Sequence, residues 1–573
     1  MKKYLFALLF AATSICGAAQ SLNDGTIALW AHAFTVDPAI STVSGQGQTT
    51  QGTNIALATD GTLLAFGNVG AGSESDRVLF GDDVIAAGTP YYNGTASPMT
   101  FCLTKIATDG TPQWCVYAIN GEIASGNGRV LPTADGGAVV VTTLRVTQGA
   151  EGLNPTLIGP GYSQTISSPF LNVEKRFYCP FVVKVDGDGK LLWTKLLTVE
   201  TEPAAGVVDT EFISGGVTVA DAAMDAEGNI YLAGNQRAAI YIDGKTILPH
   251  NITGWDGDSQ KSVGNAFLIK LDNTGKYVGH ITTAGEITQD NIRCLAVDGD
   301  KIYALLHMTG NGESTTVSLA GKSVVLPANT NLNLAAICLD NDLCAQWFNI
   351  HPNTLNTKTP LQVPSFKVIG DNLWLAAEGQ LGLMAGGKDV NSGKLTRDAL
   401  LIKFDKTTGE ALDGITLGKG WSGFFDIAPC DGDHIYAAWF NGLYAPAMLG
   451  KVNCATLEID EQVQLCSSVA TAQNIIVDND RLYAMLRVRG NVTFGSTALS
   501  VPQFACVIAA FNIPAAVGSP LDINNDGSVD VGDVNTILEA IIAGNTPMTL
   551  DLNGDKSVDV GDVNTLLDAI LKS

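Results

Sequence analysis

Short apolar runs, many of them alternating apolar with polar positions, recur along most of the chain and are broken by Asp, Gly and Asn, the pattern of β-strands joined by tight turns. Two phrases take turns. The first is strand, turn, strand, written as Asn54-Ile-Ala-Leu-Ala-Thr-Asp-Gly-Thr-Leu-Leu-Ala-Phe-Gly67 and again from Asp221 to Gly234, with further copies centred on Asp135, Asp298, Asp371, Asp431 and Asp478, seven in all. The second repeats that plan, often with Trp after the turn: Phe101 to Ile119 with Trp114, Phe181 to Thr198 with Trp193, Ala266 to Thr283, Ala335 to Ile350 with Trp347, Ala399 to Thr416 and Ala447 to Asp460. Two strands from each phrase make a four-stranded antiparallel unit. Between the phrases a third fragment, at Val78 to Gly81, Ile240 to Gly244, Val317 to Gly321 and Val492 to Gly495, reads as an added hairpin.

The two ends of this array set its topology. The last unit stops after Cys506 to Phe511, one strand short, while Gly25 to Phe34 is a strand without a partner that aligns with Gly110 to Tyr117. An open array would leave sheet edges exposed at both ends. A ring of seven units closed by the N-terminal strand leaves none. The expected fold is all-β, a seven-bladed β-propeller over residues 20–513, then a linker at 514–520 and a small α-helical module at 521–573. Through Ala266-Phe-Leu-Ile-Lys-Leu-Asp272 and Gly228-Asn-Ile-Tyr-Leu-Ala-Gly234 the body resembles the bacterial seven-bladed β-propeller repeat family. That resemblance implies binding and scaffolding roles and no particular chemistry.

In the tail one phrase is written twice. Asp522, Asn524, Asp526, Asp530 and Asp533 take the first, third, fifth, ninth and twelfth places of a loop, and Asp551, Asn553, Asp555, Asp559 and Asp562 take the same places in a second. Four carboxylates, an amide oxygen and the seventh-place carbonyl, from Ser528 or Ser557, suit the oxygen shell of Ca²⁺. Without a cation the carboxylates would repel one another. Val534, Ile537, Leu538, Ile541 and Ile542 follow the first loop at helical spacing, and Val563, Leu566, Leu567, Ile570 and Leu571 follow the second. Each loop therefore feeds one amphipathic helix, the first stopped by Gly544.

Over about a tenth of the chain these loops and helices resemble the dockerin modules of bacterial extracellular assemblies. The resemblance implies two calcium ions, a cohesin-like partner, and a docking face made of Val531, Gly532, Asn535 and Thr536 with their repeats Val560, Gly561, Asn564 and Thr565. Ser528 to Thr536 and Ser557 to Thr565 are identical, which implies two docking orientations related by a half turn. One place departs from the pattern: Gly527 in the first loop is Lys556 in the second, where a positive φ costs a non-Gly residue ~1 kcal/mol.

Composition narrows the setting. Met1-Lys2-Lys3, the apolar Tyr4 to Ala12 and the small residues Gly17 to Ala19 read as a signal peptide over residues 1–19, so the expected location is secreted or at the cell surface. No later run is long enough to span a bilayer. A formal net charge of -24 argues against nucleic acid or an anionic membrane as partner, although about a third of the excess lies in the tail loops. Three cysteine pairs, Cys102 with Cys115, Cys338 with Cys344 and Cys454 with Cys466, straddle predicted turns, which would set each pair on facing strands. Both disulfides and buried free thiols fit that placement.

Local catalytic motifs are missing. His32, His250, His280, His307, His351 and His434 show no metal-ligand spacing, and there is no nucleophile elbow, phosphate loop or zinc pair. Asp186-Gly-Asp-Gly189 and Asp256-Gly-Asp258 read as turns. Two classes of function remain: a non-catalytic binding and scaffold protein that meets a glycan or surface protein at the propeller loops, or a propeller-based carbohydrate-active enzyme, a glycoside hydrolase or polysaccharide lyase, carried by the tail.

Overall fold

A computed structural model describes residue 22 and residues 26–37, 50–70, 77–87, 99–119, 122–123, 128–146, 156–166, 177–199, 217–249, 254–256, 259–261, 264–284, 289–309, 313–330, 332–355, 361–391, 398–417, 422–442, 444–513, 523, 531–544, 550, 552–553 and 557–570. Residues 1–19, read above as a signal peptide, and the linker expected at 514–520 lie outside these residues.

Turn chemistry lays down the strands. Thr62 N donates to Asp60 Oδ1 at 3.1 Å and Gly61 takes a φ of 78°, so Thr50–Leu57 and Leu63–Gly70 fold back on each other. The same aspartate-capped reversal recurs at Asp135, Asp225 and Asp431. Seven of the sheets formed by the described residues carry four strands or more. Their leading strands are Thr50–Leu57, Arg129–Pro132, Val217–Met224, Gln289–Asp298, Gln362–Ile369, Ser422–Asp431 and Thr471–Asp478. In the first six sheets the next three long strands of the chain follow in order. In the seventh the fourth place is taken by Ile27–Asp37, which pairs with Thr497–Asn512 through Ala31↔Ala509 and Ala33↔Val507. This is the partner expected for the N-terminal strand.

Each leading strand packs against the leading strand of the next sheet, and Thr471–Asp478 packs against Thr50–Leu57. The body is propeller-like, with its middle strands covered on both faces by neighbouring sheets. Ile230–Gln236 and Asn265–Leu271 are buried along their whole length, whereas the fourth strand Leu191–Leu196 is only half-buried.

Side chains at β-bulges tie the leading strands together. Bulges occur just before Asn54, Asp221, Asp426 and Asn474, turning each side chain toward the next leading strand. Asn54 Oδ1 accepts from Val130 N at 2.9 Å, Asp221 Oδ2 from Leu295 N at 2.8 Å, and Asp426 Oδ2 from Ile475 N at 2.8 Å. Asn474 Oδ1 accepts from Ile55 N at 3.1 Å, and its amide donates back to Ile55 O at 3.2 Å, joining the last sheet to the first. Both aspartates are buried and compensated, Asp221 by Arg129 and Asp426 by Lys367 at 2.8 Å.

A second set of ties lies at the turns. Trp114 Nε1 donates to Gly187 O at 2.9 Å and Trp347 Nε1 to Lys406 O at 3.3 Å, each reaching the turn of the following sheet. Trp30 does the same across the chain ends, to Thr108 O at 3.0 Å. The turn residues beneath three of these rings, Gly110, Gly189 and Gly409, have positive φ, and the Trp ring stands where a Cβ would project, so only glycine fits. Lys105, Lys270 and Lys403 add bonds to carbonyls of the next sheet at Gly136, Asn341 and Cys454.

The added hairpins work between sheets. Arg77–Phe80 pairs with Ile27–Asp37, Thr156–Gly159 with Pro112–Ile119, and Ile240–Ile242 with Thr198–Val199, so each hairpin clasps the outer strand of the preceding sheet or its continuation. Ser318, Gly382 and Thr493 bond backbone at Ala284, Thr354 and Ser467 in the same sense. Two of these hairpins, Thr156–Thr165 and Gly382–Asn391, are absent from the sequence reading because their apolar runs are short. In the sixth sheet the middle strands His434–Asn441 and Ala447–Asn453 stand too close in the chain to enclose such a hairpin.

Two of the three cysteine pairs depart from expectation. Cys102 and Cys115 meet, with sulfurs 3.6 Å apart. Cys338 instead faces Trp347 and Cys344 lies exposed in the turn, because a bulge at Cys338/Leu339 shifts the register. Cys466 faces Ala447 at the far end of its strand while Cys454 sits in the turn itself. All ten described cysteines are free thiols.

The bond closing the last sheet onto the first has a measurable share of stability. Asn474→Ala leaves the Ile55 N–H without its acceptor in a buried place, a cost of about 1–3 kcal/mol. The expected outcome is a lowered urea midpoint with an unchanged slope.

Candidate functional site

Of the calcium ligands read from the tail, Asp533, Asn553, Ser557, Asp559 and Asp562 are described, while Asp522, Asn524, Asp526, Ser528, Asp530, Asp551 and Asp555 lie outside the described residues. Helix α1 spans Val531–Ala543 and helix α2 spans Val560–Ile570, so Asp533 and Asp562 stand in the first turn of each, where a carboxylate complements the helix dipole. Gly544, with a φ of 66°, ends α1 where a stop is expected. Val534 and Ile537 of α1 pack with Val563 and Leu566 of α2 and with Leu550.

Both twelfth-place carboxylates are fully buried and turn back toward the start of their own loop. Ile523 N donates to Asp533 Oδ1 at 2.6 Å. In the second copy Leu552 N and Asn553 N donate to Asp562 Oδ1 at 2.7 and 3.1 Å, and Asp559 N donates to Oδ2 at 2.9 Å. Burial pushes the Asp562 carboxyl up, but the N–H bonds from Asp559, Asn553 and Leu552 outweigh it and hold the group below its ordinary range. Asp559 is exposed, its Oδ2 accepting from Ser557 Oγ at 3.1 Å. The donors are all hard oxygens around a loop whose last carboxylate stays ionised, which fits Ca²⁺ better than a softer metal. Among the described residues no three His, Cys, Asp or Glu side chains gather closely enough to hold a metal.

The eight positions assigned to docking are all described. Val531 and Val560 are 61% and 60% exposed, unusual for valine, and Asn535 and Asn564 are exposed beside them. Thr536 and Thr565 are half-buried, each hydroxyl donating at 3.0 Å to the carbonyl of Gly532 or Gly561. The two copies therefore match in local geometry as well as in sequence.

In the body, charge collects where sequence spacing could not show it. Arg129, Asp221, Lys367 and Asp426 stand on leading strands, with Arg293 beside them donating to Leu361 O at 3.2 Å. Asp290 is buried at one end of Gln289–Asp298, and burial drives its carboxyl well above the ordinary range despite Thr283 and the Thr309 backbone. An open groove of about 570 Å³ lies between the fourth and fifth sheets, lined by Val325, Phe348, His351, Met384 and Glu410 among others.

The histidines are dispersed. His32 stacks on Trp30 and His280 bonds Tyr277 at 2.7 Å, both on outer strands as expected. His434 bridges Asp431 and Asp460 at 2.7 and 3.0 Å. His307 and His351 are buried, and His250 lies outside the described residues. Asp186 Oδ1 accepts from Asp188 N and Lys190 N, the turn chemistry expected there.

No protein-family model matches the chain, and no curated relative matches it in sequence. Solved structures similar to it include the polysaccharide lyase Uly1, 11% identical over 86% of this chain and 100% of that one, with a TM-score of 0.40. BamB from Moraxella catarrhalis is 13% identical over 84% of this chain and 98% of its own, with a TM-score of 0.28. An apocarotenoid oxygenase of Synechocystis is 11% identical over 78% and 95%, with a TM-score of 0.34. The propeller-like arrangement rests on the sheet pairings above and not on these distant likenesses.

Burial pushes His351 down to about 4 from its ordinary value, against the edge of Phe404. A histidine depressed in the folded state contributes stability above its unfolded value of about 6.5 and loses it as pH falls toward the folded value. Relative to a His351→Phe variant, the native chain should lose on the order of 3 kcal/mol between pH 6.5 and pH 4, measured by urea unfolding at a series of pH values.

Proposed function

We propose that this chain is an exported binding and scaffold protein. Its body is a closed ring of seven sheets, completed by the N-terminal strand, that offers a recognition surface. Its tail is a calcium-organised dockerin-like module that docks onto a cohesin-like partner.

One observation carries the reading: in two copies the twelfth-place carboxylate is buried, turned back on its loop and set in the first turn of a short helix, Asp533 in α1 and Asp562 in α2. Two such carboxylates in one register, each beside a loop rich in oxygen donors, support a bound cation in each loop. The ligand set would be Asp522, Asn524, Asp526, Ser528, Asp530 and Asp533 for one ion and Asp551, Asn553, Asp555, Ser557, Asp559 and Asp562 for the other. When bound, each ion neutralises the crowded carboxylates. The exposed Val531 and Val560 are then presented on two ordered helix starts, suited to an apolar partner surface. For the body, the return of contacts from Thr471–Asp478 to Thr50–Leu57 supports closure, and the sealing of all but outer edges supports a rigid display scaffold.

Hydrogen exchange on the full chain tests the tail. Amides of 531–543 and 560–570 should exchange at least about tenfold faster in EDTA than in calcium, and calcium should restore protection in the native chain but not in Asp533→Ala/Asp562→Ala. Equal protection with and without chelator would end the calcium reading.

A further inference from the structure

Two arginines at one end of the seventh sheet share a single aromatic ring. Arg487 Cζ lies 4.5 Å and Arg489 Cζ 5.3 Å from the centre of Phe504, across a bulge that shifts the register between Val488 and Gly490. Other arginines have oxygen partners: Arg77 has Asp37, Arg129 has Asp221, Arg293 has Leu361 O and Arg481 has Thr108 O. Neither Arg487 nor Arg489 forms an ion pair with a described residue, and Arg487 Nε is buried with no hydrogen-bond partner. In a chain of net charge -24, two adjacent cations with no carboxylate partner among the described residues stand out. Cation–π contact with one ring returns only part of what desolvation and mutual repulsion cost.

A tyrosine stands near Arg487. The phenol of Tyr444 lies within electrostatic reach of Arg487. Tyr444 is 45% exposed and holds a φ of 63°, a conformation that costs a non-Gly residue free energy. The backbone fixes its place: Tyr444 N donates to Val469 O at 3.0 Å, Ser468 Oγ donates to Tyr444 O at 3.1 Å, and Ala470 N donates to Arg487 O at 2.8 Å. Residues 467–470 thus hold tyrosine and arginine on either side of one short segment. Tyr444 lies between the middle strands of the sixth sheet, His434–Asn441 and Ala447–Asn453, which stand too close in the chain for the hairpin found in the first five sheets.

We infer that Arg487, Arg489 and Tyr444 form a binding subsite for an acidic saccharide, its carboxylate or sulfate held by the guanidinium pair and the flat face of its ring laid on the tyrosine. A guanidinium fork matches a planar or tetrahedral oxyanion in a way an ammonium does not. Burial lowers the pKa of Arg487, so an arriving anion recovers free energy that the free protein lacks. The inference rests on the body being a recognition scaffold and gives that scaffold a ligand class.

Affinity electrophoresis of the full chain through gels holding polygalacturonate, dextran sulfate, neutral dextran or poly-aspartate tests it. The native chain should be retarded by polygalacturonate, by dextran sulfate or by both, which identifies the oxyanion, and not by dextran. Arg489→Gln, at an exposed position, should weaken retention about fivefold, and Arg487→Gln/Arg489→Gln at least about tenfold, while Arg489→Lys restores it only in part. Thermal unfolding of each variant separates lost binding from lost folding, and the exposed Arg489→Gln keeps the test valid if the double variant is unstable. Unchanged retention in the variants, no retention of the native chain by either polyanionic saccharide, or equal retention by poly-aspartate would overturn the subsite. Retention by dextran that the substitutions leave untouched would keep the scaffold reading while removing this site from it.

Discussion

A sheet edge that is neither paired nor covered is the constraint this molecule is built around. Four-stranded units leave two edges each, and the structure answers with three kinds of tie. Bulge side chains such as Asp426 reach from one leading strand to the backbone of the next, indoles such as Trp114 reach a neighbouring turn, and hairpins clasp outer strands. Each tie is modest, on the order of 1–3 kcal/mol for a buried hydrogen bond to a charged group. What matters is that the same three recur where the chain meets itself, at Asn474 with Ile55, Trp30 with Thr108, and Arg77–Phe80 with Ile27–Asp37. The junction between the ends is therefore chemically like every other junction.

Body and tail rest on different forces. The body is held by burial, with long runs such as Asn265–Leu271 buried throughout, and two of its buried carboxylates, Asp221 and Asp426, are matched by Arg129 and Lys367. Among the described residues the tail buries five apolar side chains, Val534, Ile537, Leu550, Val563 and Leu566, and under the calcium reading proposed above a bound cation would add to what that small core supplies. Under the function proposed above, the order of the tail would follow the ionic conditions while that of the body would not.

Much of the architecture is legible in the chain because it is written in turns. Asp60-Gly61, Asp135-Gly136 and their relatives mark where strands reverse, and the unpartnered strand at Gly25 to Phe34 announces its own partner. Repetition also makes the tail loops readable, and Asp533 and Asp562 do close their loops alike. Position along a strand is less legible. The cysteines at Cys338 and Cys454 were assigned facing partners by counting from the turn, and a bulge in one case and a turn residue in the other defeat the count. The roles of Asn54, Asp221 and Asn474 need neighbours remote in sequence, 76 and 74 positions away for the first two and 419 for the third. No local pattern carries that information.

The pairing of Ile27–Asp37 with Thr497–Asn512 also orders events in time. The earliest of the described strands waits for the latest, so nearly the whole body must be made before its final sheet is complete. Until then the nascent chain carries an unsatisfied edge at each end, open to pairing with another molecule. A ribosome that stops early on this message leaves a sticky fragment, and the cell has a reason to keep the growing chain in the custody of chaperones until the last strand arrives.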